Sequence, residues 1–409
     1  MSFVVAFNGA RDAYQVPLAL QEKSLLTKLV TDIYLPDLVT ELVQHIPRIS
    51  KLRNRHVNGL PIWKVKSSLE LIKLQYLEPI LVQSGLVNEN SIRSSHRGQA
   101  ILSLLAIETA YQTNSNLLLY AGYAYEAFRS PKSKGKIKGV FQYHPHIKLC
   151  SEILRKDLEK YPQLNHSIEN LKEDEKDPTN IEELSQADLI ICASSFTARS
   201  LEYIGISSKK IAIIPYGINF EFNKPKSNFY RLKNNDTCRF IFVGSGIHRK
   251  GLHHLFEAWS KLNITNAHLT VVARKIDNEI AKLKPDGVEL LPAQSHKQLQ
   301  ELYEKSHVFV LPSLIEGFGY VYLEALSHGC FCIGTENTGL PDIACPDDVG
   351  YIATAGELDS LIDGLTKAYN FFKDDHIDPI KIKQFATTKK WEYFRKSLAD
   401  LCWQVEKKQ

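Results

Sequence analysis

Long apolar runs are missing from this chain of 409 residues. None approaches the roughly 20 residues that a helix needs to cross a bilayer. The start of the chain shows no basic region leading into an apolar stretch and a cleavage site. The expectation is a protein that is neither integral to a membrane nor secreted by that route. Charge of one sign is scarce as well: 50 Lys and Arg against 46 Asp and Glu leave a net charge of +4, too small over this length for the basic footprint of a nucleic-acid binder. The seven cysteines include no Cys-x-x-Cys pair. Their odd number and apolar surroundings point to reduced, buried thiols and a reducing cytoplasm. Cys330 and Cys332 share one face of an expected strand, but no further ligands are near in sequence, so they read as core and not as a metal site. A complete Gly-x-Gly-x-x-Gly is also absent, which gives a nicotinamide site little support.

What is present suits soluble α/β domains. With 44% hydrophobic residues the chain can fill large cores, and its length exceeds one ordinary core, which predicts two domains of about 200 residues each. Strand, turn and helix patterns alternate from the start. Residues 3–7 form a short apolar run fitting a buried strand, followed by a turn containing Asn8, Gly9 and Arg11 and a helical pattern through Leu18, Leu20, Leu25 and Leu29. This is the opening unit of a doubly wound sheet. Residues 139–143 give a strand that ends at His144-Pro145-His146, which puts a histidine at the carboxyl edge where open α/β sheets bind ligands. The mixed charges of residues 169–183 read as exposed helix and loop. Residues 187–197 read as a strand and then a helix capped by Ser194 or Ser195. The polar run 223–237 is the expected domain linker.

A second doubly wound unit begins with Arg239 and the apolar residues 240–243, followed by a turn holding Gly244, Ser245, Arg249 and Lys250. Two cations at the positive start of a helix repel it unless an anion is present, so this turn fits a diphosphate, with Arg249 as a fork and Lys250 as a point charge. Later, Val308-Phe309-Val310-Leu311 reads as a buried strand, Glu316-Gly317-Phe318-Gly319 as a tight turn, and the residues from about Tyr320 to Gly329 as a helix and its end. Glycines at 317 and 319 leave room for a phosphate near the helix start. Glu316 and Glu324 add carboxylates suited to sugar hydroxyls, and together these features suggest a sugar nucleotide.

Glu-Gly-Phe-Gly followed by Glu-Ala-Leu, with seven residues between the two glutamates, resembles the signature of the family 4 glycosyltransferases of the GT-B fold. The resemblance is strong over residues 187–345 and weaker before them. It implies two Rossmann-like doubly wound domains facing across a cleft: residues 1–222 for the acceptor, a linker over 223–237, residues 238–385 for the nucleotide sugar, and a helical end over 386–409 packing back on the first domain. It further implies sugar transfer with retention at the anomeric carbon. Glu316 and His144 would contact the donor sugar, with His146 as the competitor of His144. Glu324 would hold the ribose, and Arg249 and Lys250 the diphosphate. Gly9, Gly244, Ser245, Gly317, Phe318, Gly319, Tyr320 and Ala293 would line the nucleotide-sugar site, with Ala293 beside the base. Ser245 stands where the family usually has an arginine, so a phosphate contact there is lost or passes to Arg249.

No Asp-x-Asp occurs, so the Mg²⁺ arrangement of the other large glycosyltransferase fold lacks its ligands, and no cofactor beyond the co-substrate is expected. The partners implied are a UDP- or GDP-type sugar and a glycan or lipid-linked acceptor. A sugar-nucleotide epimerase, a phosphorylase and a non-catalytic assembly factor remain alternatives. Residues 48–66 carry Arg48, Lys51, Arg53, Arg55, Lys64 and Lys66 among Leu52, Leu60, Ile62 and Trp63. That mixture suits peripheral contact with the inner face of a membrane, or else a solvated loop and helix face.

Overall fold

The structure, a computed structural model, describes residues 2–43, 52, 54–72, 94–168, 171, 175, 177–219, 237–262 and 264–408. The expected linker, apart from Thr237, lies outside the described residues, as do Arg48, Lys51 and Arg53 of the basic segment.

Two parallel sheets organise the chain. The first contains β1 (Phe3–Ala6), β2 (Leu26–Thr31), β3 (Val65–Ser67), β4 (Asn116–Tyr120), β5 (Lys138–Gln142), β6 (Leu189–Cys192) and β7 (Ile211–Ile213), in the order β3-β2-β1-β4-β5-β6-β7. The second contains β8 (Cys238–Val243), β9 (Ala267–Val272), β10 (Glu289–Leu291), β11 (Val308–Val310), β12 (Phe331–Thr335) and β13 (Gly350–Ala353), in the order β10-β9-β8-β11-β12-β13. The strands β1, β4, β6 and β11 are apolar apart from Asn116 at the start of β4, because helices cover both faces; all four are buried throughout. In each sheet the strand order reverses beside the first strand, between β1 and β4 and between β8 and β11. The loops leaving those strands border the crevices in which such sheets take ligands.

The helical pattern expected through Leu29 stops earlier. The helix spans Gln15–Glu22, Ser24 turns the chain with a φ of 58°, and Leu26–Thr31 is β2. Leucines spaced by two, five and four over so short a stretch do not separate a helix from a half-buried strand, and pairing with β1 decides it. Glu183 departs from the exposed reading of residues 169–183, being 1% exposed. All seven cysteines are free thiols and six are buried.

The final helix, Trp391–Lys407, packs on the helix Gln15–Glu22, and its Trp391, Phe394, Leu398 and Cys402 belong to the core of the first sheet. Arg395 fastens it by donating from Nη1 to Gln15 Oε1 at 2.9 Å and pairing through Nε with Glu22 at 2.7 Å. The chain enters this helix against Gly217, where a Cβ would lie 2.3 Å from the Lys390 carbonyl carbon.

Candidate functional site

The loops after β8 and β11 interlock. Gly251 has a φ of 68°, and a Cβ there would fall 1.9 Å from the Pro312 carbonyl oxygen, so only glycine fits between the turns. Leu314 and Ile315 donate their backbone N–H groups to the Arg249 carbonyl at 2.9 and 3.2 Å. These contacts bring Arg249 and Lys250 up to Glu316. Lys250 Nζ hydrogen-bonds Glu316 Oε2, and Arg249 Nη1 lies 3.4 Å from that oxygen and 3.3 Å from the Ile315 carbonyl. Glu316 is itself 9% exposed, and its backbone N–H donates to Asn337 O at 3.0 Å.

Burial alone would raise the Glu316 pKa, but Lys250 and then Arg249 outweigh it and hold the carboxyl below its ordinary value. Burial works against Lys250 as well and wins over the attraction of Glu316, leaving that amine easier to deprotonate than usual. The cluster therefore combines two cations and one carboxylate at a sheet edge, with Arg249 a third exposed.

His144 faces this cluster from the end of β5. Its surface opens to the cleft, yet the protein packed around that cleft, followed by the charge of Arg249, lowers its pKa. His146 does a different job. It is 4% exposed and caps the helix Ile147–Leu158, with Nδ1 accepting from Lys148 N–H at 3.3 Å. The two domains meet tightly here: a Cβ on Gly317 would sit 2.2 Å from the Tyr143 carbonyl oxygen, and the Gly317 carbonyl accepts from Ser194 Oγ and from Thr197 Oγ1, the latter at 3.2 Å. Ser194 is also the N-cap of the helix Ser195–Tyr203.

Other expected site residues are placed as follows. Phe318 is buried with its ring edge-on to Tyr216 at 5.2 Å, and Tyr320 stacks on Trp391 at 6.0 Å, so both side chains are committed to packing between domains. Gly319 has a φ of 82°. Glu324, half-buried on the helix Val321–Ser327, has its pKa raised by burial, with His296 and Tyr303 partly offsetting this. Gly244 and Ser245 are half-buried in the turn after β8, and Ala293 is exposed just beyond β10.

Across the cleft, the loop after β1 is strained: Asp12, Ala13 and Tyr14 take φ values of 47°, 47° and 61°, left-handed conformations unusual for residues with side chains. Gly9 N–H donates to Asp32 Oδ1 at 3.0 Å, and the same oxygen pairs with Arg55 at 3.0 Å. Arg11 lies over the Tyr143 ring at 4.2 Å, and Asp12 accepts from the Tyr120 hydroxyl at 2.8 Å. Beside them is a pocket of about 380 Å³ lined by His144, Tyr143, Gln99, Gly122 and Glu183. Glu183 accepts from Gly122 N–H at 2.7 Å and Ala124 N–H at 3.2 Å, yet burial pushes its carboxyl up to about 7. Sequence reasoning passed over Asp12, Asp32 and Glu183, because nothing in their spacing reveals which carboxylates fold inward.

Residues 223–375 match the family model of the glycosyl transferases group 1. Over that stretch, which holds the second sheet up to its last strand, the chain is similar to the group 1 glycosyl transferases. Over 207 residues the chain is 25% identical to the phosphatidylinositol N-acetylglucosaminyltransferase gpi3 subunit of Schizosaccharomyces pombe, covering 47% of this chain and 43% of that protein. The chain thus spans about half the length of the curated relatives it matches. Solved structures resemble it throughout. A sucrose-phosphate synthase from Thermosynechococcus elongatus aligns over 100% of both chains with a TM-score of 0.60 at 15% identity. The Anabaena HepE protein in complex with UDP and glucose aligns over 99% of this chain and 100% of its own, with a TM-score of 0.57 at 13% identity. The fold of the chain is GT-B.

Proposed function

We propose that the protein transfers a sugar from a UDP- or GDP-type nucleotide sugar to a glycan or lipid-linked acceptor, with retention and without a catalytic metal, in the synthesis of a cell-surface polysaccharide. The observation that carries this reading is the convergence of Glu316, Lys250 and Arg249 from two switch-point loops, opposite His144 from the other domain. A departing nucleoside diphosphate needs its growing negative charge stabilised more than the reaction needs a protein nucleophile. Arg249 and Lys250 supply that charge in a site sheltered from water. When the diphosphate engages them, Glu316 is released to accept hydrogen bonds from sugar hydroxyls, and His144 donates or accepts a further one. Glu324 holds the ribose. The pocket beside Arg11, Tyr143 and Glu183 receives the acceptor, bringing its hydroxyl to the face that the diphosphate leaves.

A cytoplasmic protein touching the inner face of the membrane through residues 48–66 fits a lipid-linked acceptor, and Trp63 and Ile62 are 65% and 49% exposed there. Among the described residues no helix is long and apolar enough to cross a membrane. Arg55 is turned inward to Asp32, Lys64 to the Leu26 carbonyl and Lys66 to Thr109, so fewer of the cations are available to lipid than the sequence pattern suggests.

The test is incubation with labelled UDP-, GDP- and ADP-sugars, scoring donor hydrolysis and transfer. Turnover that disappears in Glu316→Ala and Lys250→Ala supports transfer. Donor binding without turnover contradicts it in favour of an assembly role, and failure to bind any common nucleoside diphosphate removes both.

A further inference from the structure

Where the helix Ile147–Leu158 meets the turn after β8, one carboxylate meets three imidazoles. Asp157, near the end of the helix Ile147–Leu158, has His248 Nε2 at 2.7 Å and His253 Nε2 at 2.9 Å from Oδ2, and His254 Nε2 at 2.6 Å from Oδ1. All four residues are at most 6% exposed. The ligating atoms of Asp157, His248 and His253 lie within 4.8 Å of one another. We propose that Asp157, His248 and His253 bind a divalent transition metal of the zinc class, bolting the two domains together.

Chemistry and placement both support this. Imidazole nitrogen with one carboxylate is a zinc ligand set, and the Nε2 atoms of His248 and His253 both face the same carboxylate oxygen. Consecutive residues on a helix diverge by about 100°, yet His253 and His254 both turn to the same carboxylate. Nδ1 of His253 meets no partner, so a single hydrogen bond is all that compensates for burying the ring; a metal bond is a stronger return. The outer contacts are those that orient metal-bound histidines: Ser167 Oγ lies 2.6 Å from His248 Nδ1, and the Tyr161 hydroxyl, itself bonded to Glu257 at 2.5 Å, lies 3.4 Å from His254 Nδ1. His254 holds the second oxygen of Asp157 and so fixes which one faces the metal. Access from solvent is visible too. His254 and Tyr161 line a crevice of about 420 Å³ whose other walls include Glu257, Glu357 and Asp359 together with Lys160, which pairs with Glu357. Because His248 immediately precedes Arg249 and Lys250, the metal would also anchor the turn that carries both.

The test uses the full chain without a histidine tag. Metal content is measured on the purified protein, a chelator then removes the metal, and the apoprotein is titrated with Zn²⁺ and with Co²⁺, whose visible absorption reports its ligands. One metal ion per chain, a Co²⁺ spectrum typical of nitrogen and oxygen coordination, and a higher melting temperature with Zn²⁺ are expected. His253→Gln should remove tight binding, and His254→Gln should weaken it about 10–100-fold as an outer contact. His268→Gln, at an exposed histidine beside Glu289, should change nothing. If His253→Gln does not fold, stoichiometry and the Co²⁺ spectrum of the wild type decide. An apoprotein that takes up neither ion, or a folded His253→Gln that binds as the wild type does, would overturn the proposal and leave the cluster as a metal-free hydrogen-bonded contact. None of these readouts depends on sugar transfer.

Discussion

The two walls of the cleft descend from the same strand order but are finished differently. On the C-terminal wall, the loops after β8 and β11 approach one another so closely that Gly251 has no room for a methyl group, and the product is a compact charged grip of Arg249, Lys250 and Glu316. On the N-terminal wall, the loop after β1 bends through residues with side chains in left-handed conformations, and the surface is aromatic, with Arg11 lying on Tyr143 and Asp12 under Tyr120. The contrast fits a division of labour. A diphosphate is the same in every donor and can be held by a fixed set of charges, whereas an acceptor is recognised by shape, which loops and rings provide.

The largest effect expected is on the charged wall. Lys250→Ala leaves Glu316 without its closest cation and the leaving group without a charge, and should lower turnover about 100- to 1,000-fold, read in a steady-state donor assay. If Arg11→Ala cost as much, the division between walls would be broken. Gly317→Ala comes next. Its methyl group would fall 2.2 Å from the Tyr143 oxygen, so the domains must part. Activity should drop at least about tenfold and melting should occur earlier, in line with about 1–3 kcal/mol for overpacking. Arg11→Ala should be milder, raising the acceptor KM about three- to tenfold through the lost cation–ring contact, worth about 0.5–2 kcal/mol, while the donor KM stays put.

The last effect is on stability alone and comes from Glu183. Its carboxyl is raised to about 7 in the folded chain, above the value of about 4.3 expected when unfolded. The folded form therefore holds this proton more tightly. The contribution to stability is complete below the unfolded value and is lost as pH rises through 7, by at most about 1.4 kcal/mol per pH unit. Melting temperatures measured between pH 5 and pH 8 should decline more steeply for the wild type than for Glu183→Gln.

Much of the C-terminal wall was legible in the sequence because its chemistry is local. The stretches 240–243 and 308–311 are unbroken apolar runs, and the turns after them announce themselves by glycine next to charge. The N-terminal side was harder. β2 mixes Thr27 and Lys28 with apolar residues and looks like part of the preceding helix until it pairs with β1. His144 and His146 are two residues apart and chemically identical in the sequence; only the helix starting at Ile147 reveals that His146 is a cap. The cluster on Asp157 joins residues about 90 positions apart from two domains. No spacing rule could have found it.

The account rests on the donor being gripped by one wall and not the other. Titration calorimetry with UDP, GDP and ADP tests this most directly, on the wild type, Lys250→Ala and Arg11→Ala. The account predicts that at least one nucleotide binds one-to-one, that Lys250→Ala weakens it about 10- to 100-fold, a loss of about 1.4–2.8 kcal/mol, and that Arg11→Ala leaves it unchanged. Equal weakening by both substitutions, or tight binding that survives Lys250→Ala, would contradict it.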